Sequence, residues 1–190
     1  DGIRDYKVTG VQTCALPISI LMALLSMPLA FTYPLMKRFT YWPQLFLGIT
    51  FNYGLVLAWI SINNNISALP IIFYFGAIFW TLGYDTIYGY QDLKDDEIIG
   101  LKSTSIKFKN NPIKFLIMCY TVFLFTILMI GLLMDLNKIF YLIYLIIFLQ
   151  IFYFQIKKLN IENKLICLKI FKSNNFLGFL VFLGLVAGKI

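Results

Sequence analysis

Histidine is absent from this 190-residue sequence. Its absence removes imidazole general bases, histidine-ligated haem and His-based zinc sites together. Cysteine is scarce: Cys14, Cys119 and Cys167 are scattered, form no CxxC, and read as apolar fillers with no disulfide framework. Charge is scarce as well, at 13% of residues, where a soluble domain carries about 25%. What fills the chain instead is apolar: 60% hydrophobic residues, 18% aromatic ones and a mean hydropathy of +0.81. This composition is that of a polytopic membrane protein. The net charge of +7 does not imply nucleic acid, because no basic face is separable from the loops that flank the apolar runs. The positive-inside rule accounts for the excess.

Six apolar segments follow one another, at about residues 18–36, 42–62, 69–84, 113–134, 139–156 and 174–190. Most reach or approach the roughly 20 residues that cross a bilayer. The first is interrupted by Pro28 and Pro34, and Trp42 and Pro43 open the second as interfacial anchor and helix start. Asn52 inside the second segment is of the kind that bonds across to a neighbouring helix. The third segment is expected to continue as helix beyond the bilayer to about Asp92. The sixth is glycine-rich, with Gly178, Gly184 and Gly188, as suits closely approaching helices. The fold class expected is all-α, a transmembrane helical bundle of about six helices. Residues 1–19 differ in character from the rest and lack the order of a signal peptide. They resemble translated sequencing-adapter read-through and are expected to be a foreign tail, leaving 20–190 as the domain.

The loops after the first, third and fifth segments carry twelve of the sixteen lysines and arginines. This bias puts those loops on the cytoplasmic side. Within the last of them, residues 159–172 alternate apolar and basic positions and are expected to lie along the interface as a short amphipathic element.

The cytoplasmic loop after the third segment gathers five of the nine acidic residues: Asp85, Asp92, Asp95, Asp96 and Glu97. On a continuous helix, Asp85, Asp92 and Asp96 fall at i, i+7 and i+11, within roughly 20° of one meridian. Three carboxylates on one face repel each other unless a cation lies between them. Hard oxygen ligands suit magnesium, which keeps several waters and bridges one or two carboxylates to phosphate. Lys102, Ser103 and Thr104 follow closely and are expected on the phosphate side. Asp95 points away from the stripe and, with Glu97, reads as a solvated loop acid. Tyr33 and Lys37, at i and i+4, share a helix face at the same membrane boundary.

These residues carry a resemblance. Tyr84-Asp85-Thr-Ile-Tyr88, then Asp92-Leu-Lys-Asp95-Asp96, then Ile99-Gly100-Leu-Lys102-Ser103-Thr104 resembles the second aspartate-rich motif of the UbiA superfamily of intramembrane aromatic prenyltransferases, most closely its 4-hydroxybenzoate-prenylating branch. Tyr33 and Lys37 match that family's Tyr-x-x-x-Lys, and residues 171–184 are similar to the start of its last helix. The family folds as nine transmembrane helices with two Asp-rich motifs, each binding magnesium. The six segments here resemble helices four to nine, and the first motif, Asn-Asp-x-x-Asp-x-x-x-Asp, has no counterpart in this sequence.

The resemblance implies Mg²⁺-dependent transfer of a polyprenyl group from polyprenyl diphosphate to the ring of 4-hydroxybenzoate, in ubiquinone synthesis at the bacterial inner membrane. It implies Asp92 and Asp96 as magnesium ligands and Asp85 as a further ligand or catalytic base. Lys37 and Lys102 would hold the diphosphate, and the Tyr33 ring would stabilise the cation. Other aromatic acceptors remain open. So does an ion-coupled transporter, although a carrier's acids belong near the bilayer midplane rather than at a helix end. No nucleic-acid partner is expected.

Overall fold

The computed structural model describes residues 6–63 and 65–190; the side chains of residues 6–19 and of Tyr33 lie outside the description. Of the expected foreign tail, residues 1–5 therefore fall outside the described residues altogether. The rest is helical: α1 (Tyr6–Phe39), α2 (Pro43–Asn63), α3 (Ala68–Gly89), α4 (Leu93–Ile99), α5 (Thr104–Lys107), α6 (Pro112–Leu133), α7 (Lys138–Leu149) and α8 (Lys164–Lys189). A 3₁₀ turn, Tyr90–Asp92, joins α3 to α4, and a π segment, Gln150–Ile156, extends α7. Among the described residues six helical spans are long and apolar enough to cross a membrane.

Local chemistry sets the boundaries. Pro43 and Pro112 occupy first helical positions, where a missing N–H costs nothing. Asn137 caps α7 by accepting the Ile139 amide at 2.9 Å, and Asn163 caps α8 by accepting Ile166 N at 3.1 Å. That second cap corrects one expectation. Residues 164–172 are the first turns of α8, not a separate interfacial element, because Asn163 starts the helix there and nothing interrupts it before Lys189. In the same way α1 passes through Pro28 and Pro34 unbroken.

α3 is the centre of the bundle, packed against α2, α6 and α8. The approach to α6 is close because Gly76 faces Thr126: a Cβ on Gly76 would collide with the Thr126 hydroxyl. The shared core holds Leu82, Ile87, Leu116, Tyr120, Phe123, Ile127 and Phe140, all nearly inaccessible. The outer faces are apolar too. Phe51 is 71% exposed and Phe182 62% exposed, surfaces that water would not tolerate over such an extent and that lipid accepts.

The end of α3 departs from the expected straight helix. Three residues in 3₁₀ conformation advance by about 120° each instead of 100°, adding roughly 60° of rotation between Asp85 and Asp96. The three acids therefore do not form one uninterrupted stripe.

Candidate functional site

The junction after α3 is held by a glycine turn and a set of buried hydroxyls. Gly100 adopts φ +77° at the end of α4, with Gly100 N–H donating to Glu97 O at 3.2 Å and Leu101 N–H to Asp96 O at 2.9 Å. This is the paired-bond stop that a left-handed residue permits. The chain then reverses and Lys102 donates its backbone N–H to Lys37 O at 2.8 Å. The end of α1 and the loop after α4 are thereby tied together.

Next come the hydroxyls expected on the phosphate side, and here the structure corrects the sequence. Ser103, Thr104 and Ser105 are all buried. Ser103 Oγ caps α5 by accepting Ile106 N at 3.2 Å. Thr104 shares a 2.6 Å hydrogen bond with Thr86 of α3, and Ser105 donates to Thr86 O at 2.9 Å. Gln44 of α2, also buried, accepts the Thr104 amide at 3.0 Å. Internal partners occupy these groups, so they anchor the loop to α3. The reason is spacing: a Ser-Thr-Ser run beside a threonine finds partners within the protein before it reaches solvent.

The acids divide. Asp96 is buried and pairs with Lys37 at 3.7 Å. Asp92 is exposed on the 3₁₀ turn and makes no ion pair among the described residues. Asp95 meets Lys164 at 3.5 Å and Glu97 meets Lys109 at 2.6 Å, both on the surface. Lys102 sets its ammonium 5.7 Å from the centre of the Tyr41 ring. Tyr33 lies on α1, its side chain outside the described residues.

Asp85 lines a cavity of about 470 Å³ between α2, α3 and α8, walled by Phe51, Trp80, Tyr84 and Phe171 and edged by Asn52, Thr81, Asn174 and Asn175. Asn52 bonds across to α3 as expected: its Nδ2 donates to Thr81 Oγ1 at 2.8 Å and Ala77 O at 3.2 Å, and also to Gly48 O of its own helix at 2.8 Å. Sequence reasoning missed Trp80, Asn174 and Asn175. The signal was there, since two consecutive asparagines at the head of an apolar run are costly in a membrane unless they meet partners.

Among the described residues no three acidic side chains close into a group able to hold a metal by themselves. One or two carboxylate oxygens nevertheless suffice for magnesium, which completes its shell with waters and a phosphate. They do not suffice for a metal needing an all-protein cage.

The model of the UbiA prenyltransferase family matches residues 9–183 of this chain. A protein of Bos taurus named "4-hydroxybenzoate polyprenyltransferase, mitochondrial" is 39% identical over 184 residues, covering 95% of this chain and 49% of the relative. The Homo sapiens protein of that name is likewise 39% identical over 184 residues, 95% of this chain and 49% of its own length. A "4-hydroxybenzoate octaprenyltransferase" of Francisella tularensis subsp. novicida is 36% identical over 167 residues, 87% of this chain and 58% of the relative. The chain spans about half the length of the curated relatives it matches. No solved structure matches it.

Proposed function

The chain belongs to the UbiA prenyltransferase family, and from that premise we propose that the whole protein transfers a polyprenyl group from polyprenyl diphosphate to the ring of 4-hydroxybenzoate. It does so inside a membrane, with the Asp-rich loop facing the cytoplasm. The side follows from charge: twelve of the sixteen basic residues lie in the loops on that face.

The observation that carries the reading is the convergence of two chemistries on one place. Asp85 lines an apolar cavity, and Asp96, on the helical segment that follows α3, pairs with Lys37 at 3.7 Å. Carboxylates and a lysine next to a greasy pocket suit a prenyl diphosphate, whose head is met by a metal ion and a lysine and whose tail needs hydrocarbon.

In the reaction the allylic C–O bond breaks and its electron pair leaves with the diphosphate. Lys37 and Lys102 meet the charge that builds there. Asp92 and Asp96 would hold magnesium, which when bound neutralises the leaving diphosphate. The aromatic side chains of the cavity would face the electron-poor allylic carbon, and Tyr33 is the further aromatic residue proposed to stabilise it. The ring carbon meta to the acceptor's carboxylate forms the new C–C bond, and Asp85 is the group at hand to accept the displaced proton.

The test is transfer of a radiolabelled polyprenyl diphosphate by the complete protein, with and without a magnesium chelator. Magnesium-dependent labelling of 4-hydroxybenzoate is the expected result. Labelling of 1,4-dihydroxy-2-naphthoate or homogentisate in its place overturns the acceptor, and labelling that survives chelation overturns the metal.

A further inference from the structure

α7 does not end as an α-helix; it widens into the π segment Gln150–Ile156. Residues five apart diverge by about 140° around an α-helix, so two glutamines at that spacing would not meet. A π turn, hydrogen-bonded from i to i+5, brings them onto one face. The Lys157 amide donates to Phe152 O at 3.0 Å in that pattern, and Gln155 Nε2 reaches Gln150 Oε1 at 3.1 Å.

Gln155 is fully buried. Its Oε1 accepts the Tyr120 hydroxyl of α6 at 2.6 Å. Its Nε2 also donates to Asn174 Oδ1 of α8 at 3.1 Å, and that same oxygen accepts Trp80 Nε1 of α3 at 2.9 Å. The polarity of the relay has one solution. An indole N–H only donates, so Asn174 must turn its oxygen to Trp80, and Gln155 must answer with its nitrogen. Gln155 Oε1 is then left for Tyr120, and Gln150 Nε2 for Ser173 Oγ at 3.2 Å.

The relay ends at the cavity. The Trp80 indole forms part of the wall that also carries Asp85. Phe123 stacks on it with centroids 5.3 Å apart and planes 19° apart. Behind it, a Cβ on Gly178 would come within 3.1 Å of the ring, so α8 gives the indole room and little freedom. A half-buried ring fixed on three sides by a hydrogen bond, a stack and a backbone is a preformed surface for another flat ring.

We infer that Gln155 is a positioning residue: acting through Asn174, it holds the Trp80 indole as the surface on which the acceptor's aromatic ring packs. The identity of the acceptor rests on the prenyl-transfer reading above; the hold on Trp80 does not.

The complete protein, labelled with 5-fluorotryptophan, separates the two. The Trp80 fluorine resonance is the one missing in Trp80→Phe. Gln155→Leu is expected to shift or split that resonance and to raise KM for the phenolic acid by roughly tenfold. KM for the prenyl diphosphate and kcat stay within about twofold. In a Trp80→Phe background, Gln155→Leu adds less than about twofold, because the group it acts through is gone. An unmoved resonance, an equal factor in both backgrounds, or a fall in kcat with KM unchanged overturns the inference. If Gln155→Leu does not fold, Tyr120→Phe, which removes only the hydroxyl bound to Gln155, is read the same way with an effect of roughly fivefold. A parent protein that prenylates no phenolic acid sinks the functional reading, while the fluorine shift still decides whether Gln155 governs Trp80.

Discussion

Lys102 donates its backbone N–H to the carbonyl of Lys37 at 2.8 Å. Two lysines far apart in sequence are thus joined through the main chain, and a displacement of one loop moves both. The joint depends on the turn at Gly100, whose φ of +77° is unfavourable for any residue with a Cβ.

Gly100→Ala tests that dependence. A Cβ at this position meets nothing within 4 Å, so the whole effect comes from backbone strain of roughly 1 kcal/mol. KM for the prenyl diphosphate should rise about fivefold in the complete protein, and Gly100→Asn should be milder, since asparagine tolerates the left-handed region. Steady-state kinetics decide it; an unchanged KM in Gly100→Ala separates the turn from diphosphate binding.

Thr104→Val tests whether the buried hydroxyls are structural. The substitution keeps the shape and removes the 2.6 Å bond to Thr86. The expected cost is about 1 kcal/mol, seen as a melting temperature lower by about 2–4 °C, with KM for the diphosphate unaltered. A raised KM with full stability would return Thr104 to the phosphate side.

The surface ion pairs should matter little. Asp95→Asn and Glu97→Gln break exposed contacts with Lys164 and Lys109, each worth about 0–1 kcal/mol. Turnover of both variants should equal the parent's, and melting curves should nearly overlay. A tenfold loss in either would show that the acids divide differently from their burial.

Much of the fold was legible because apolar length alone marks a membrane helix, and six runs gave six spans. The caps at Asn137 and Asn163 were legible too, had α8 been traced back from its apolar half to the asparagine before it. The kink at Tyr90–Asp92 and the π turn at Gln150–Ile156 were not. The π turn goes with bonds across helices, such as Tyr120 to Gln155, and local sequence does not encode those neighbours. At the site, motif spacing named Asp96 and Lys37, which form an ion pair, and Asp85, which lines the cavity. It also named Ser103 and Thr104 for phosphate, where Ser103 instead caps α5 through the Ile106 amide and Thr104 is held by Thr86 and Gln44. Trp80 was invisible because an aromatic in an apolar run looks like filler until a cavity opens beside it.

The most direct measurement is magnesium-dependent prenylation by the complete protein carrying Asp96→Ala or Asp92→Ala, with Asp95→Ala as the neighbouring control. Loss of roughly a hundredfold or more in kcat for the first two, with the control near the parent, is the predicted result. Undiminished product from Asp96→Ala or from Asp92→Ala would contradict the account.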